Sequence, residues 1–358
     1  MRRTTGPAVA SATIMLVSIV LGSAAEADAQ TAAAPPQTGP APSGLVVGSG
    51  NYFSPIVPDL DKAVAFYRDG LGLDLQGAPG DAANNPALRD MFGLPDAKLR
   101  WQIARTPAVA GGVEIIEIAS ANGKPVERRM QDPGAITLLA TVRDLDATFA
   151  RLKQLGAPVV SRGGAPARVG EGAQKARIVV VKDPAGHFLE LVQYDQPQPS
   201  QAPPTANVTD VRVRLTVDNV DQAVRLYRDA LGLKLLNEPQ FREDTAGSAA
   251  LGVDGGQYRV AFLQVPTSGL MLDLVDFKGV DRRTVAAGIQ DFGSTRMQMR
   301  VRDVDATIAA FAKFGGTVAS TGGKPLDLPA GNNKLKVAIV RDPNNLFVVL
   351  IESPPPAR

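Results

Sequence analysis

Leu60-Asp61-Lys62-Ala63-Val64-Ala65-Phe66-Tyr67-Arg68-Asp69-Gly70-Leu71-Gly72-Leu73-Asp74-Leu75 is the stretch whose reading decides the fold. It returns as Val220-Asp221-Gln222-Ala223-Val224-Arg225-Leu226-Tyr227-Arg228-Asp229-Ala230-Leu231-Gly232-Leu233-Lys234-Leu235, identical at ten of sixteen positions with a constant offset of 160. Val64, Tyr67 and Leu71 fall on one helical face, and Gly72 supplies the left-handed residue that ends a helix. Alternation from Leu73 to Leu75 opens a strand. A strand–helix–strand unit copied along a chain describes an architecture before it describes a chemistry.

Around that stretch the order is strand (45–57), helix, strand from Leu73, a helical turn over Asn85–Gly93, then strands over Lys98–Arg105 and Val113–Ala119. A shorter version follows, with strands at Ala135–Val142, Pro158–Ser161, Arg177–Val181 and His187–Tyr194 and a helix over Asp146–Leu155. Beyond a Pro/Gln-rich linker both versions recur. Val301-Arg302-Asp303-Val304-Asp305-Ala306-Thr307 repeats Val142-Arg143-Asp144-Leu145-Asp146-Ala147-Thr148, and Arg341-Asp342-Pro343 repeats Lys182-Asp183-Pro184, both at offset 159. The spacing predicts an α+β fold of four βαβββ modules in two tandem domains, residues 48–195 and 208–353, joined by a linker at 196–207. Each module has one helix for one face of its sheet. Two modules edge to edge form a cup whose inner face is the expected ligand site.

Composition removes several function classes. Net charge is +2, with acidic and basic residues interspersed, so no electrostatic footprint for nucleic acid exists. The absence of cysteine excludes thiol catalysis, Cys-ligated zinc and disulfides, and a single histidine, His187, leaves no Ser/His/Asp arrangement to read. Residues 1–29 carry Arg2 and Arg3, an apolar run from Ala8 to Gly22 and small-x-small sites at Ala25–Ala29, the pattern of a cleaved export signal. An Ala/Pro-rich leader over 30–47 follows. The expected location is periplasmic or secreted, with no membrane contact after cleavage.

Four segments together resemble the vicinal oxygen chelate superfamily of glyoxalases, bleomycin-resistance proteins and extradiol dioxygenases. They are the repeated helix motif, Gly93–Arg100, Val142–Ala147, and Asp183-Pro184-Ala185-Gly186-His187-Phe188-Leu189-Glu190-Leu191. Metal-using members place His or Glu at one position on each of four strands. By resemblance these fall on Tyr52, Glu117, Thr137 and Glu190 in the first domain, and on Arg212, Asp273, Arg296 and Val349 in the second. The first domain thus keeps two carboxylates and lacks both imidazoles, and the second holds two cations and a valine. A carboxylate, phenol and hydroxyl set suits Mg²⁺, Mn²⁺ or Ca²⁺ at most, and an iron facial triad needs two histidines.

Glu117 and Glu190 are the candidate catalytic residues, and weak candidates as metal ligands. Each sits in an apolar run, where a carboxylate requires a cation, a metal or hydrogen bonds. Paired with a nearby arginine they are instead structural. Tyr52, Thr137, Trp101, Arg212, Asp273 and Arg296 are candidate ligand contacts. His187 lies three residues from Glu190, an odd spacing that sends two strand side chains to opposite faces, and is read as structural.

Three functions follow: a metal-independent binder of a small, possibly anionic, organic molecule; a glyoxalase-type lyase or isomerase using Glu117 and Glu190 with an oxygen-preferring divalent metal or alone; or a partner-binding module with a filled cup. Two assemblies also remain open, each compatible with a monomer carrying an internal pseudo-dimer. If each domain closes on itself, Arg212, Asp273 and Arg296 share one cup and leave a guanidinium for an anion. If the halves are exchanged, Glu117 meets Arg296 and Glu190 meets Arg212.

Overall fold

The computed structural model describes residues 44–353 except 84, 107, 120–121 and 331–332. The expected export signal and residues 30–43 of the leader lie outside the described residues; Val46 and Val47, expected in the leader, instead open the strand Val46–Ser49. Six α-helices occur among them: α1 (Leu60–Ala65), α2 (Pro86–Met91), α3 (Leu145–Gln154), α4 (Val220–Val224), α5 (Thr245–Ala250) and α6 (Val304–Lys313). Each opens on an Asp or Asn whose side chain accepts a backbone N–H three residues on, from Asp59 at α1 to Asp303 at α6.

The repeated motif folds as its spacing predicts, with one addition. α1 runs on into a π turn over Phe66–Gly70, and α4 into one over Arg225–Ala230. Leu71 N–H donates to Phe66 O at 3.1 Å and Leu231 N–H to Leu226 O at 3.0 Å, five residues back in both copies. Gly72 and Gly232 then take φ of 86° and 89° and end the helix. The π turn leaves Tyr67 and Tyr227 fully buried. Their hydroxyls donate to Asp183 Oδ2 and Asp342 Oδ2, both at 2.9 Å. The tyrosine of one repeated motif thus bonds the aspartate of the other.

The nineteen strands among the described residues form two sheets, and the halves are exchanged between them. In the first, the strands of the first module meet those of the fourth. Across the sheet the order is Thr317–Val318, Asn333–Arg341, Phe347–Glu352, Thr295–Val301, Ser54–Val57, Gly112–Ala119, Lys98–Arg105 and Asp74–Asp81. In the second, the second and third modules meet, with Ile136–Val142 antiparallel to Val208–Thr216 at the seam. Both seams are built alike: Arg296 faces Ser54, and Arg214 faces Thr137.

Side-chain alternation sorts the strand residues into two faces. Val57, Ile115, Leu138, Val213, Leu272 and Met299 join the helices in one apolar core shared by both sheets. The opposite faces are the two cups. The first is packed with Ile56, Trp101, Ile116, Val337, Phe347 and Val349, and the second with Val180, Phe188, Tyr258, Val275 and Phe277. α2 crosses the first cup to lie against Leu326–Ala330, and α5 crosses the second to lie against Ala167–Val169.

Candidate functional site

The polar residues inside each cup follow from the same alternation. On Gly112–Ala119, Val113, Ile115 and Glu117 point toward the helices, and Glu114, Ile116 and Ile118 point into the first cup. Glu117 therefore lies outside the cup, against expectation. Its Oε2 accepts the Leu60 N–H at 3.2 Å and a bond from Arg100 Nη1 at 3.2 Å. All four modules repeat this device: Gln193 receives Leu145 N–H, Asp276 receives Val220 N–H and Glu352 receives Val304 N–H. Glu117 is a helix anchor, and a carboxylate there benefits from the unsatisfied N–H groups of the helix start.

Glu114 takes the place expected of Glu117. Its Oε2 accepts from Ser54 Oγ at 2.9 Å, Arg296 Nη2 at 3.2 Å and Gln298 Nε2 at 3.1 Å. The Phe92 ring, just past α2, covers the guanidinium at 4.2 Å from its centroid. Glu114 is 0% exposed and Arg296 1%. Burial raises the Glu114 carboxyl above its ordinary value, against the pull of Arg296 and the Ser54 and Gln298 bonds. Burial also lowers Arg296 to about 10, which leaves it charged at neutral pH. The first cup is thus closed by its own ion pair. Trp101 belongs to its wall.

In the second cup Arg214 Nη1 donates to Glu190 Oε2 at 2.6 Å. The exchanged assembly predicts Glu190 beside Arg212; Arg214, two residues on and on the same face, holds it instead. Asp273 is 1% exposed and neighbours Arg214 in strand register. Arg212 approaches Asp273 Oδ1 only to 3.9 Å and Asp210 Oδ2 to 3.8 Å, and its side chain is 36% exposed at the rim. Burial lifts Asp273 to about 6, beyond what Arg212 and Arg214 offset, with Glu190 and Asp210 adding to the rise. Thr137 turns its hydroxyl to Met130 Sδ at 3.4 Å. Tyr52 is buried with its hydroxyl 2.8 Å from Thr106 Oγ1 and meets none of these carboxylates by hydrogen bond.

Arg296 lies in the first cup and Arg212 and Asp273 in the second, so the anion clamp expected of a self-closed second domain does not form. The exchange of halves separates them. His187 sits in the turn before Phe188–Tyr194, buried, with Nδ1 3.0 Å from Asp183 Oδ2 and Nε2 2.8 Å from Ser294 O. It joins the two sheets and reaches neither cup's carboxylates.

A divalent metal does not fit these residues. Among the described residues no three His, Cys, Asp or Glu side chains come together to hold one. Glu114 and Glu190 each accept from a guanidinium, and Val349 stands at the fourth position of the first cup.

Glu114, Arg214, Gln298 and Ser54 escaped the reading of the sequence. The signal was present for Glu114: offset 159, which relates the two later repeats, carries it onto Asp273 and carries Glu117 onto Asp276.

The glyoxalase/bleomycin resistance protein/dioxygenase superfamily model matches residues 51–191 and 211–348. The chain belongs to this superfamily. Glyoxalase I from Zea mays aligns with 85% of this superfamily member and 92% of its own chain, at 20% identity and a TM-score of 0.53. A point mutant of the same maize enzyme gives 19% identity, 85% and 94% coverage and a TM-score of 0.54. These likenesses describe the fold alone. A protein from Arabidopsis thaliana named "Probable lactoylglutathione lyase, chloroplastic" is 27% identical over 139 residues, 39% of this chain and 34% of that protein. The chain therefore spans about a third of this curated relative.

Proposed function

We propose that this superfamily member is a metal-independent binder of a small organic molecule, and that the second cup is the binding site. One observation carries the reading: at the positions where metal-using relatives need free donors, Glu114 and Glu190 are already neutralised by Arg296 and Arg214. At the rim of the second cup the Arg212 and Asp210 side chains are partly exposed. Two open surface grooves, of about 570 and 410 Å³, lie elsewhere, beside Leu233–Glu238 and on the face of α3.

The test pairs elemental analysis of protein purified without chelators with a thermal-shift panel of small organic molecules. Metal-free protein that is stabilised saturably by a panel member, with the shift lost on enlarging the buried Ser248 of α5 by Ser248→Leu, supports the reading. One transition-metal ion held per chain sinks it.

A second reading is a lyase, which the Arabidopsis relative's name favours. It relies on Glu190 and Asp273, since Glu117 is on the wrong face, with Asp273 near 6 exchanging a proton. Lactoylglutathione formation that survives Glu117→Gln and is lost on Asp273→Asn distinguishes it. As part of the same proposal, the protein is exported with its mature start near Asp28 or Gln30, and it is a monomer. Terminal sequencing and sedimentation test these two points.

A further inference from the structure

The two cups are copies related by the repeat, and comparing them position by position shows the seam guanidinium changing strands, from Arg296 opposite Ser54 in the first to Arg214 opposite Thr137 in the second. Asp273 stands where Glu114 stands, and Thr137 stands where Arg296 stands. In the first cup the carboxylate meets the guanidinium of Arg296, held under the Phe92 ring. In the second, Thr137 reaches only Met130, and the ring position is Leu251. The covering helix shrinks too: Leu88, Arg89 and Met91 of α2 become Gly247, Ser248 and Ala250 of α5.

What remains is an incomplete site. Asp273 Oδ1 is buried without a hydrogen bond, as is Glu114 Oε1 in the first cup, but Glu114 accepts three bonds on its other oxygen; Ser248 Oγ on α5 is buried without a bond as well. Arg214, beside Asp273, gives Nη1 to Glu190, and its Nε is buried without a hydrogen bond. Tyr258 and Phe277 add aromatic faces, 5.9 Å apart, where the first cup has Leu99 and Ile118. A buried carboxylate oxygen without a donor is costly, and a planar cation with several N–H groups satisfies both its charge and its lone pairs.

We propose that the second cup binds a small amidinium or guanidinium group, which sits over Thr137 and donates to Asp273 in the place that Arg296 fills in the first cup. This rests on the small-molecule-binding reading and names the chemical class for that site. Arg212 is the gate. It is partly exposed, stands 5.8 Å from the Phe262 ring, and lies just beyond hydrogen-bond reach of Asp273.

Benzamidine and methylguanidinium are the probes, with benzoate, urea and tetramethylammonium as controls for ring, planarity and bare charge. Calorimetric titration of the full chain should show one saturable site for the two probes and none for the controls. Saturation should raise Tm by on the order of 3 °C. Asp273→Asn should abolish binding. Thr137→Arg should supply a guanidinium there, abolish binding and raise Tm without any probe; if that variant does not fold, Asp273→Asn decides alone. Arg212→Met should tighten binding by removing the gate.

Binding that survives Asp273→Asn overturns the proposal, as does equal binding of tetramethylammonium. If benzoate or another class binds the cup while amidines do not, the chemical class is wrong and the binding function stands. If nothing in any class binds, both fall.

Discussion

Arg296→Met removes the cation from the first cup while keeping most of its aliphatic length. Glu114 then retains Ser54 and Gln298 but loses the guanidinium that neutralises it. Breaking a buried pair by deleting one partner costs about 3–5 kcal/mol, whereas replacing both partners by apolar residues is often neutral or stabilising. Glu114→Leu combined with Arg296→Met should therefore recover most of the loss. Trp101, the only tryptophan, lies in the wall of the same cup and reports urea unfolding by fluorescence. The loss should also depend on pH. The folded Glu114 carboxyl lies above its reference value of 4.5 because burial outweighs its partners, and without Arg296 it rises further. A group whose folded value is raised binds protons more tightly when folded, so stability falls as pH rises from the unfolded value toward the folded one. Arg296→Met should consequently cost less near pH 5 than at neutral pH. A single-variant loss under about 1 kcal/mol that is flat with pH refutes a dry, closed first cup, because water would then be solvating Glu114.

Tyr67→Phe and Tyr227→Phe each delete a buried hydrogen bond to a carboxylate, and each should cost about 1.5–3 kcal/mol in chemical denaturation. His187→Leu copies Leu346, its counterpart in the second repeat. Against burial, which pushes it up, the charge of the His187 ring and the turn's bonds hold Asp183 below its ordinary value; Asp342, with Leu346 in place of the ring, is raised by burial. Wild-type Asp183 therefore contributes stability above its unfolded value of 3.8 that is lost as pH falls through its folded value. The variant should be less stable at neutral pH by about 1–3 kcal/mol, with the gap narrowing on acidification in matched unfolding curves. Glu117→Ala should cost about 1 kcal/mol as a lost helix anchor and leave probe binding to the second cup unchanged by calorimetry.

The repeat was legible because its helix motif joins an apolar face and a terminal glycine at fixed spacing. Tyr67 and Gly72 take the roles their positions imply, and the structure adds the cap at Asp59. The site was less legible for a physical reason. In Val113-Glu114-Ile115-Ile116-Glu117-Ile118 both strand faces are buried, so apolar residues occupy both, and alternation does not say which glutamate faces the cup. The partner of each carboxylate was hidden as well, because it comes from the far half of the chain. Arg296 is 182 residues from Glu114, and only the exchanged pairing brings them together. The π turns leave no local mark either, since one extra residue in a turn is fixed by the packing of Tyr67 and Tyr227.

The nested pairing has a consequence for the order in which the chain can fold. The second and third modules are neighbours along the polypeptide, so their seam, where Val142 pairs with Val208, closes a much shorter loop than the outer seam does. The first and fourth are the outermost, and Val46 pairs with Val301. Contacts between distant segments carry the larger loop-closure entropy and form more slowly. The inner sheet can therefore assemble first and shorten the effective loop that the outer sheet must close. During synthesis the first module is made earliest yet waits for the last strands to emerge, its Ser54–Val57 edge open to the wrong partner until Thr295–Val301 arrives.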